Sequence, residues 1–281
     1  MGRVAVVGDV GGHRDALAAA LRGLGAVDDD AVLRLPADLV VVQVGDLVHR
    51  GPDSPGVLRL VDGIMARQPD QWVQLVGNHE QRYVHRAVFR WPETLDEGSV
   101  ATLLRWWRTG WMRAAAAFTD GAGLCWLACH AGLTAEYARD VLGRPGTAHE
   151  AAEAINALHD DERLWRAGAK LTGVPDRWAG PVWTDAAREL HPSWLARYAE
   201  RAAPPPYAQV HGHSQAARWD ADVPGLVIDR RARHQTRTVG GVPLVGVDPQ
   251  HGRHGAPEWS PLVFTDATVV RRPAGPPSPG P

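Results

Sequence analysis

Five short motifs, each at or just past the end of an apolar run, constrain the fold of this chain more than any other feature. In chain order the motifs are Gly8-Asp9-Val10-Gly11-Gly12, Gly45-Asp46-Leu47-Val48-His49-Arg50-Gly51, Gly77-Asn78-His79-Glu80, His130-Ala131-Gly132 and Val210-His211-Gly212-His213. The runs 4–7, 39–44 and 72–76 are short and apolar, as is typical of strands buried on both faces. Segments 15–24 and 55–67 have apolar residues at helical spacing. This alternation predicts an α/β protein with its site at the carboxyl ends of the strands.

Composition excludes several classes of function. The 30 basic and 32 acidic side chains nearly cancel, so we expect no nucleic-acid partner and no membrane surface as partner. No apolar run approaches the roughly 20 residues that a membrane helix needs. The only cysteines are Cys125 and Cys129, so disulfides cannot carry the fold. We therefore expect a cytoplasmic protein in a reducing compartment.

Two stretches interrupt the alternation of strands and helices. We predict a single domain over residues 1–271, with helical insertions at about 95–118 and 134–205. The second insertion is long enough to form a cap over the site. We expect most of the twelve tryptophans of the chain to serve helix packing, whereas for Trp106, Trp107 and Trp111 stacking on a nucleobase stays open. Short strands of a second sheet are expected at 207–210, 226–228, 244–247 and 262–270. The proline-rich tail 272–281 has little to bury and is predicted to be disordered.

The side chains of the five motifs suit a metal centre. Carboxylate, amide and imidazole ligands favour Mn, Fe or Zn over Ca. Two such ions about 4 Å apart can neutralise phosphoryl charge, generate hydroxide and stabilise a leaving oxygen. One turn aspartate or one loop histidine alone would carry no such implication. The conjunction of five motifs therefore favours metal-assisted hydrolysis.

In order and spacing, the motifs resemble those of the calcineurin-like metallophosphoesterases, nearest the bacterial serine/threonine protein phosphatase and diadenosine tetraphosphatase group. The family pattern runs GDxHG, GDxVDRG, GNHE, HAG and GH, and the resemblance covers roughly residues 3–215. It implies a sandwich of two mixed β-sheets flanked by helices, with a helical cap insertion. It also implies hydrolysis of phosphate ester or phosphoanhydride bonds by metal-activated hydroxide. The implied partner is a phosphorylated substrate: a phosphoprotein, a dinucleoside polyphosphate or a small phosphorylated metabolite.

The resemblance also implies individual roles for motif residues. The implied ligands of two divalent ions are Asp9, Asp46, Asn78, His130 and His213. Asp46 would bridge both ions, Asp9 would hold the first, and the remaining three would complete the second. His79 would protonate the leaving oxygen. Arg50 would clamp the phosphate with its planar fork of donors.

Two positions depart from the family pattern. Gly11 replaces a histidine that ligates the first ion, and His49 replaces an aspartate that orients the catalytic histidine, here His79. Three accounts remain open: His49 takes over as a ligand, which we favour; His13 swings in; or neither ligates and the first site is weak or empty. In the last account His49 is a partner of His79. The same departures motivate an alternative function, a degenerate, non-catalytic metal-binding or regulatory member of the superfamily.

Overall fold

Two β-sheets and a set of surrounding helices make up the part of the chain that the computed structural model describes, residues 2–29, 32–252 and 257–270. Within these ranges the strands are β1 (Arg3–Val7), β2 (Val27–Asp29), β3 (Val32–Arg34), β4 (Leu39–Gln43), β5 (Trp72–Leu75), β6 (Met112–Arg113), β7 (Ala115–Thr119), β8 (Cys125–Cys129), β9 (Ala208–His211), β10 (Leu226–Asp229), β11 (His234–Val239), β12 (Val242–Gly246), β13 (Leu262–Thr265) and β14 (Thr268–Val269). The helices in the same ranges are α1 (Arg14–Gly23), α2 (Ser54–Arg67), α3 (Asn78–Val84), α4 (Glu97–Thr109), α5 (Ala135–Asp140), α6 (Ala148–Asn156), α7 (Ala169–Thr172) and α8 (His191–Arg201), the last preceded by a π-helical turn at Ala186–Leu190.

The two large sheets are both mixed. The first has the strand order β13-β1-β4-β5-β6, in which β1, β4, β5 and β6 are parallel and β13 is antiparallel to β1. The second has the order β10-β11-β12-β9-β8-β7-β14, with a parallel centre formed by β12, β9 and β8. Val4 and Val6 pack between the sheets, whereas Ala5 and Val7 belong to the helix-covered core. This alternation follows from the two-residue period of a strand. The expected sandwich of two mixed sheets flanked by helices is confirmed.

Local sequence explains where the helices start and end. The Asp53 carboxylate accepts a hydrogen bond from the Gly56 amide at 2.8 Å and so caps α2, with Pro55 in its first turn. Asp96 caps α4 in the same way, and Gly110 ends that helix in the left-handed conformation. Asp53 lies in the loop after β4 that carries the second motif, so this motif runs directly into a fixed helix start.

The structure differs from the sequence-based expectation in two segments. The stretch 95–118 is helical only to Thr109, and residues 112–113 and 115–119 are strands. The alanines there favour a helix by propensity, but pairing of β7 with β8 prevails. Of the stretch 262–270, β13 joins the first sheet and only β14 joins the second.

The region 134–205 contains α5, α6, α7, the π-helical turn and α8, joined by irregular segments. The tail 272–281 lies outside the described residues. Among the described residues, no helix combines the length and apolar character needed to cross a membrane.

Candidate metal centre

Side chains from five strand ends converge on one buried site. Asp9 follows β1, Asp46 follows β4, Asn78 follows β5, His130 follows β8, and His213 follows β9. Each is at most 6% exposed. Ligand atoms of Asp9, Asp46 and His130 lie within 4.8 Å of one another. The structure thus brings together all five side chains to which the resemblance gave a ligand role.

One half of the site is built from acceptor atoms that face each other. The Nδ1–H of His130 donates to the Val44 carbonyl oxygen at 2.8 Å, which leaves Nε2 as a lone-pair acceptor in the neutral ring. That nitrogen lies 3.0 Å from Asn78 Oδ1 and 3.4 Å from Asp46 Oδ1. Burial lowers the pKa of His130, although Asp46 opposes the shift, so the ring is neutral near pH 7. Converging lone pairs of this kind require a cation between them.

Unpartnered buried atoms surround the same point. Asp9 Oδ2, Asp46 Oδ2 and His213 Nε2 are buried and have no hydrogen-bond partner among the described residues. Leaving such atoms unsatisfied is costly, whereas coordination of an ion satisfies them together. His213 Nδ1 lies 2.9 Å from Asn78 Oδ1, which ties this imidazole to the same half. The donor set of nitrogen and oxygen atoms therefore fits a divalent metal ion.

The backbone at the motifs is held in sparsely populated conformations. Asp46 and His213 have φ values of 56° and 63°, and Gly45 has a φ of 99°. A Cβ on Gly45 would lie 2.8 Å from His130 Nδ1, and one on Gly212 would collide with Asp9 Oδ1. The glycines thus allow ligands from different strands to approach each other closely. Strain of this kind is concentrated at functional sites.

Glu80, the last residue of the third motif, holds two motifs together. Its carboxylate accepts hydrogen bonds from the amides of Asp46, Leu47 and Gly77, at 2.8, 2.9 and 2.8 Å. Burial and the Asp46 charge raise the pKa of Glu80 to about 8, even though the three amides favour its charged form. Glu80 was not singled out from the sequence. Its place three residues after a helix-starting glycine is the capping-box signal that points to it.

His49 lies beside His79, and both of its ring nitrogens have partners away from the carboxylates. His49 Nδ1 is 2.7 Å from His79 Nδ1, and His49 Nε2 is 2.7 Å from the Tyr83 hydroxyl. The structure therefore does not place His49 as a ligand of the first ion, the account favoured from the sequence. It places His49 as the partner of His79, because a ring with both nitrogens engaged has no lone pair to offer an ion.

The hydrogen bonds among Tyr83, His49 and His79 are consistent with one assignment of the protons. If the Tyr83 hydroxyl donates to His49 Nε2, then His49 Nδ1 carries the proton and donates to His79 Nδ1. His79 Nε2 then carries a proton and faces Asp46 Oδ2 at 3.8 Å. Burial lowers the pKa of His79 to about 4 and that of His49 to about 3. Both rings are neutral near pH 7, with the His79 N–H directed towards the centre.

His13 does not reach the site either. Its Nε2 lies 2.9 Å from the carbonyl oxygen of Gly252, and its ring packs against His251 with centroids 4.8 Å apart. His251 is buried as well. The proposal that His13 swings in to replace the missing ligand is thus not the arrangement in this structure.

Arg50 lies beside Gly11, in the half of the site where a ligand is missing, and its charge interacts with that of Asp248. A Cβ on Gly11 would lie only 3.6 Å from Arg50 Cδ, so the arginine runs along the bare glycine. Burial lowers the pKa of Arg50, but the carboxylates of Asp248, Asp46 and Asp9 outweigh this and raise it above its usual value. Asp248 is 2% exposed and accepts a hydrogen bond from Gln215 at 2.9 Å.

Asp248 was missed from the sequence, although a signal for it exists. It follows β12, which is parallel to β9, so its position repeats the rule that located the other acidic residues. Burial raises the pKa of Asp9 well above its usual range, and Asp248 and Asp46 raise it further. His79 and Arg50 lower the pKa of Asp46 to about 2 despite its burial, and His130 acts in the same direction.

An aromatic wall encloses the site. Trp91 lies with its ring centroid 4.7 Å from that of His79, and Phe89 is 5.4 Å from the same ring. Trp183 packs edge-on against His213 at 5.6 Å and donates from Nε1 to Gln81. Trp91 and Trp183 thus line the centre, beyond the packing role expected for most tryptophans.

The geometry and the motifs agree with a sequence-family comparison. Residues 2–217 match the model of the calcineurin-like phosphoesterase family. The chain belongs to that family. No curated protein is similar enough in sequence to count as a match.

Solved structures resemble this family member in fold. A cold-active protein tyrosine phosphatase superposes with a TM-score of 0.55 at 16% identity, covering 94% of this chain and 73% of the other. The enzyme of that description from a psychrophilic Shewanella species gives 0.54 at 15% identity, covering 92% and 74%. A serine/threonine phosphatase from Saccharomyces cerevisiae with similarity to human phosphatase PP5 gives 0.47 at 12% identity, covering 97% and 82%. At these identities the first two likenesses show the fold alone.

Proposed function

We propose that this family member is a metal-dependent phosphoesterase that hydrolyses phosphate ester or phosphoanhydride bonds. The observation that carries the proposal is the convergence of His130 Nε2, Asn78 Oδ1 and Asp46 Oδ1, three acceptors with no proton to share. The unpartnered oxygens of Asp9 and Asp46 support it, because they extend the same cluster. Clusters of nitrogen and oxygen acceptors of this kind bind divalent metal ions.

The side chains of the chain itself divide the work. A bound divalent ion supplies Lewis acidity, which neutralises phosphoryl charge and lowers the pKa of the attacking water. Arg50 carries a buried guanidinium next to the carboxylates and offers its donors to phosphoryl oxygens. His79 directs its Nε2–H towards the centre and donates to the leaving oxygen. His49 and Tyr83 hold that tautomer.

The proposal covers two divalent ions, Mn, Fe or Zn, that are held unequally. One half of the site offers nitrogen and oxygen ligands that would bind an ion tightly. Its side chains are Asp46, Asn78, His130 and His213. Near Asp9 a first ion would be held by carboxylates without an imidazole, and the Arg50 charge would repel it. We therefore expect one tight ion and a weak first site.

The substrate belongs to the class of phosphorylated compounds, whether phosphoprotein, dinucleoside polyphosphate or small metabolite. The protein phosphatases of similar fold make a phosphoprotein one candidate. We also propose a cytoplasmic location, which the two unpaired cysteines, Cys125 and Cys129, support.

Hydrolysis of p-nitrophenyl phosphate with added Mn tests the function. We expect turnover by wild-type protein and a loss of at least about a hundredfold in Asp46→Asn, because the bridging charge is removed. Metal content, measured by mass spectrometry after gel filtration, should be about one ion per wild-type chain and less in the variant. Arg108→Met, an exposed change in α4, serves as the control and should match wild type.

The alternative, a degenerate metal-binding or regulatory member, rests on Gly11 and on the loss of the aspartate at position 49. This alternative predicts a protein that either binds metal without hydrolysing phosphate compounds or does neither. Wild-type protein that holds an ion yet hydrolyses no phosphate compound in a broad screen would decide for the alternative. Unchanged turnover in Asp46→Asn would reject the assignment of the centre.

A further inference from the structure

Lys170 is the only lysine in the sequence, and all other strongly basic side chains are arginines. The two side chains are not equivalent, because an ammonium is a compact point charge with three donors whereas a guanidinium is a planar fork. Lys170 lies in α7, inside the region 134–205. The single ammonium of the chain is therefore carried by the cap.

The Lys170 ammonium reaches the candidate metal centre. Its Nζ donates a hydrogen bond to the backbone carbonyl oxygen of His213. Burial is the main reason that the pKa values of His79, His130 and His213 are lowered, and the Lys170 charge lowers each of them further. A positive charge that acts on all three imidazoles therefore lies close to the site. The residue as a whole is exposed, so solutes can reach it.

The cap holds the backbone of Lys170 in place through a buried carboxylate. Glu189 is 3% exposed and accepts from the amide of Ala169, the neighbour of Lys170, at 2.8 Å. It also accepts from the amides of Asp176 at 2.7 Å and Asp185 at 2.6 Å. One carboxylate thus joins α7 to two other segments of the cap. The ammonium is presented from an ordered platform and not from a free loop.

We propose that Lys170 is a substrate-binding residue, a cap-borne ammonium that binds the phosphoryl oxygens of a phosphate monoester. The inference rests on the proposed function and adds a residue and a substrate class to it. One of the three ammonium donors is used on the His213 carbonyl, which leaves two for an anion. Together with Arg50, it places two cations around the phosphoryl group.

Two cations at one site favour a dianion over a monoanion. A phosphate monoester carries close to two negative charges near pH 7, and a diester carries one. Removing the Lys170 charge should therefore cost a monoester more than a diester. A residue that only braced His213 would affect both substrates equally, so the ratio of the two activities separates binding from support.

Direct binding can be observed because the chain has one lysine. Incorporation of isotope-labelled lysine during expression marks Lys170 only and leaves its three ammonium protons in place. In the zinc-loaded protein, we expect inorganic phosphate to shift the Lys170 resonance in a saturable way, and chloride at the same concentration to leave it unchanged. A Lys170 resonance that does not move at saturating phosphate overturns the proposal, whether or not the protein turns over any substrate.

Variants complete the test. We expect Lys170→Met to lower kcat/KM for p-nitrophenyl phosphate about tenfold or more, mainly through KM, and to lower that for bis(p-nitrophenyl) phosphate by much less. Lys170→Arg keeps the charge and should lose less, and Arg108→Met is the control for an exposed charge. Metal content should stay unchanged in all three.

Equal losses of kcat/KM on both substrates, or no loss on either, overturn the proposal. Absence of turnover in wild type would instead count against the proposed function. In that case the resonance shift would still decide the role of Lys170.

Discussion

At position 49 an imidazole stands where the family pattern has a carboxylate, and this changes the electrostatics of His79. The two rings meet at 2.7 Å through their Nδ1 atoms, so they share a proton but no negative charge. Burial therefore dominates, and the pKa of His79 is lowered to about 4. An anion in the same position would favour the imidazolium instead.

Replacing His49 with aspartate tests this difference. In His49→Asp the pKa of His79 should rise by about one unit or more, because the new carboxylate stabilises the protonated ring. The neutral ring is the form present near pH 7, so the acidic limb of the pH profile of kcat/KM, on which this form is lost to protonation, should move to higher pH. Tyr83→Phe removes a donor without adding charge and should leave the limb in place. An identical limb in wild type and His49→Asp would show that His49 does not act on His79.

At the scale of elements, the site depends on how closely the turns after the strands approach each other. The turn after β9 brings Gly212 against the Asp9 carboxylate, which also accepts from the His213 amide at 3.0 Å. A side chain at 212 has no space unless Asp9 moves. The distance between two ligands from the two sheets is thus set by the absence of one Cβ.

Gly212→Ala should for this reason damage the centre. We expect a loss of about 1 to 3 kcal/mol in the free energy of unfolding from overpacking, together with weaker metal binding as Asp9 is displaced. Gly23→Ala is the matched control, because a Cβ there meets nothing within 4 Å, and it should be neutral or slightly stabilising. Thermal unfolding and metal titration measure the two effects. Retention of full metal affinity in Gly212→Ala would contradict the packing argument.

Some strands and pairings could be predicted from the sequence, and others could not. The parallel strands β1, β4 and β5 were predictable, because buried apolar runs that end in glycine turns are a local signal. The pairing of β13 with β1 was not, since it joins residues far apart in the chain. The alanine-rich β7 was misread as helical because its strand conformation comes from pairing with β8.

At the scale of the whole molecule, buried histidines make stability depend on pH. Burial lowers the pKa of His191 to about 3 and that of His211 to about 4, both below the usual 6.5. The unfolded chain therefore binds more protons between pH 6.5 and 4. The contribution of these two histidines to the free energy of unfolding is fully present above pH 6.5 and is lost as pH falls through this window.

Chemical denaturation of the metal-free protein at several pH values measures the effect. Each buried histidine should contribute a decline of up to about 1.4 kcal/mol per pH unit below 6.5. His191→Gln should reduce the slope, whereas His149→Gln, at an exposed position, should not. An identical slope in wild type and His191→Gln would show that this ring is not held neutral.

The sequence by itself determined the family and the sandwich and predicted five of the side chains at the centre, because motifs at strand ends are local patterns. Only the tertiary structure decided what His49, Asp248 and Lys170 do. His49 contacts His79, the Asp248 charge acts on Arg50 beside Gly11, and Lys170 of α7 donates to the His213 carbonyl oxygen. These contacts link residues separated by tens to hundreds of positions, and no spacing along the chain encodes them. They depend on the packing of two sheets and a cap, and that packing sets which charges face each other.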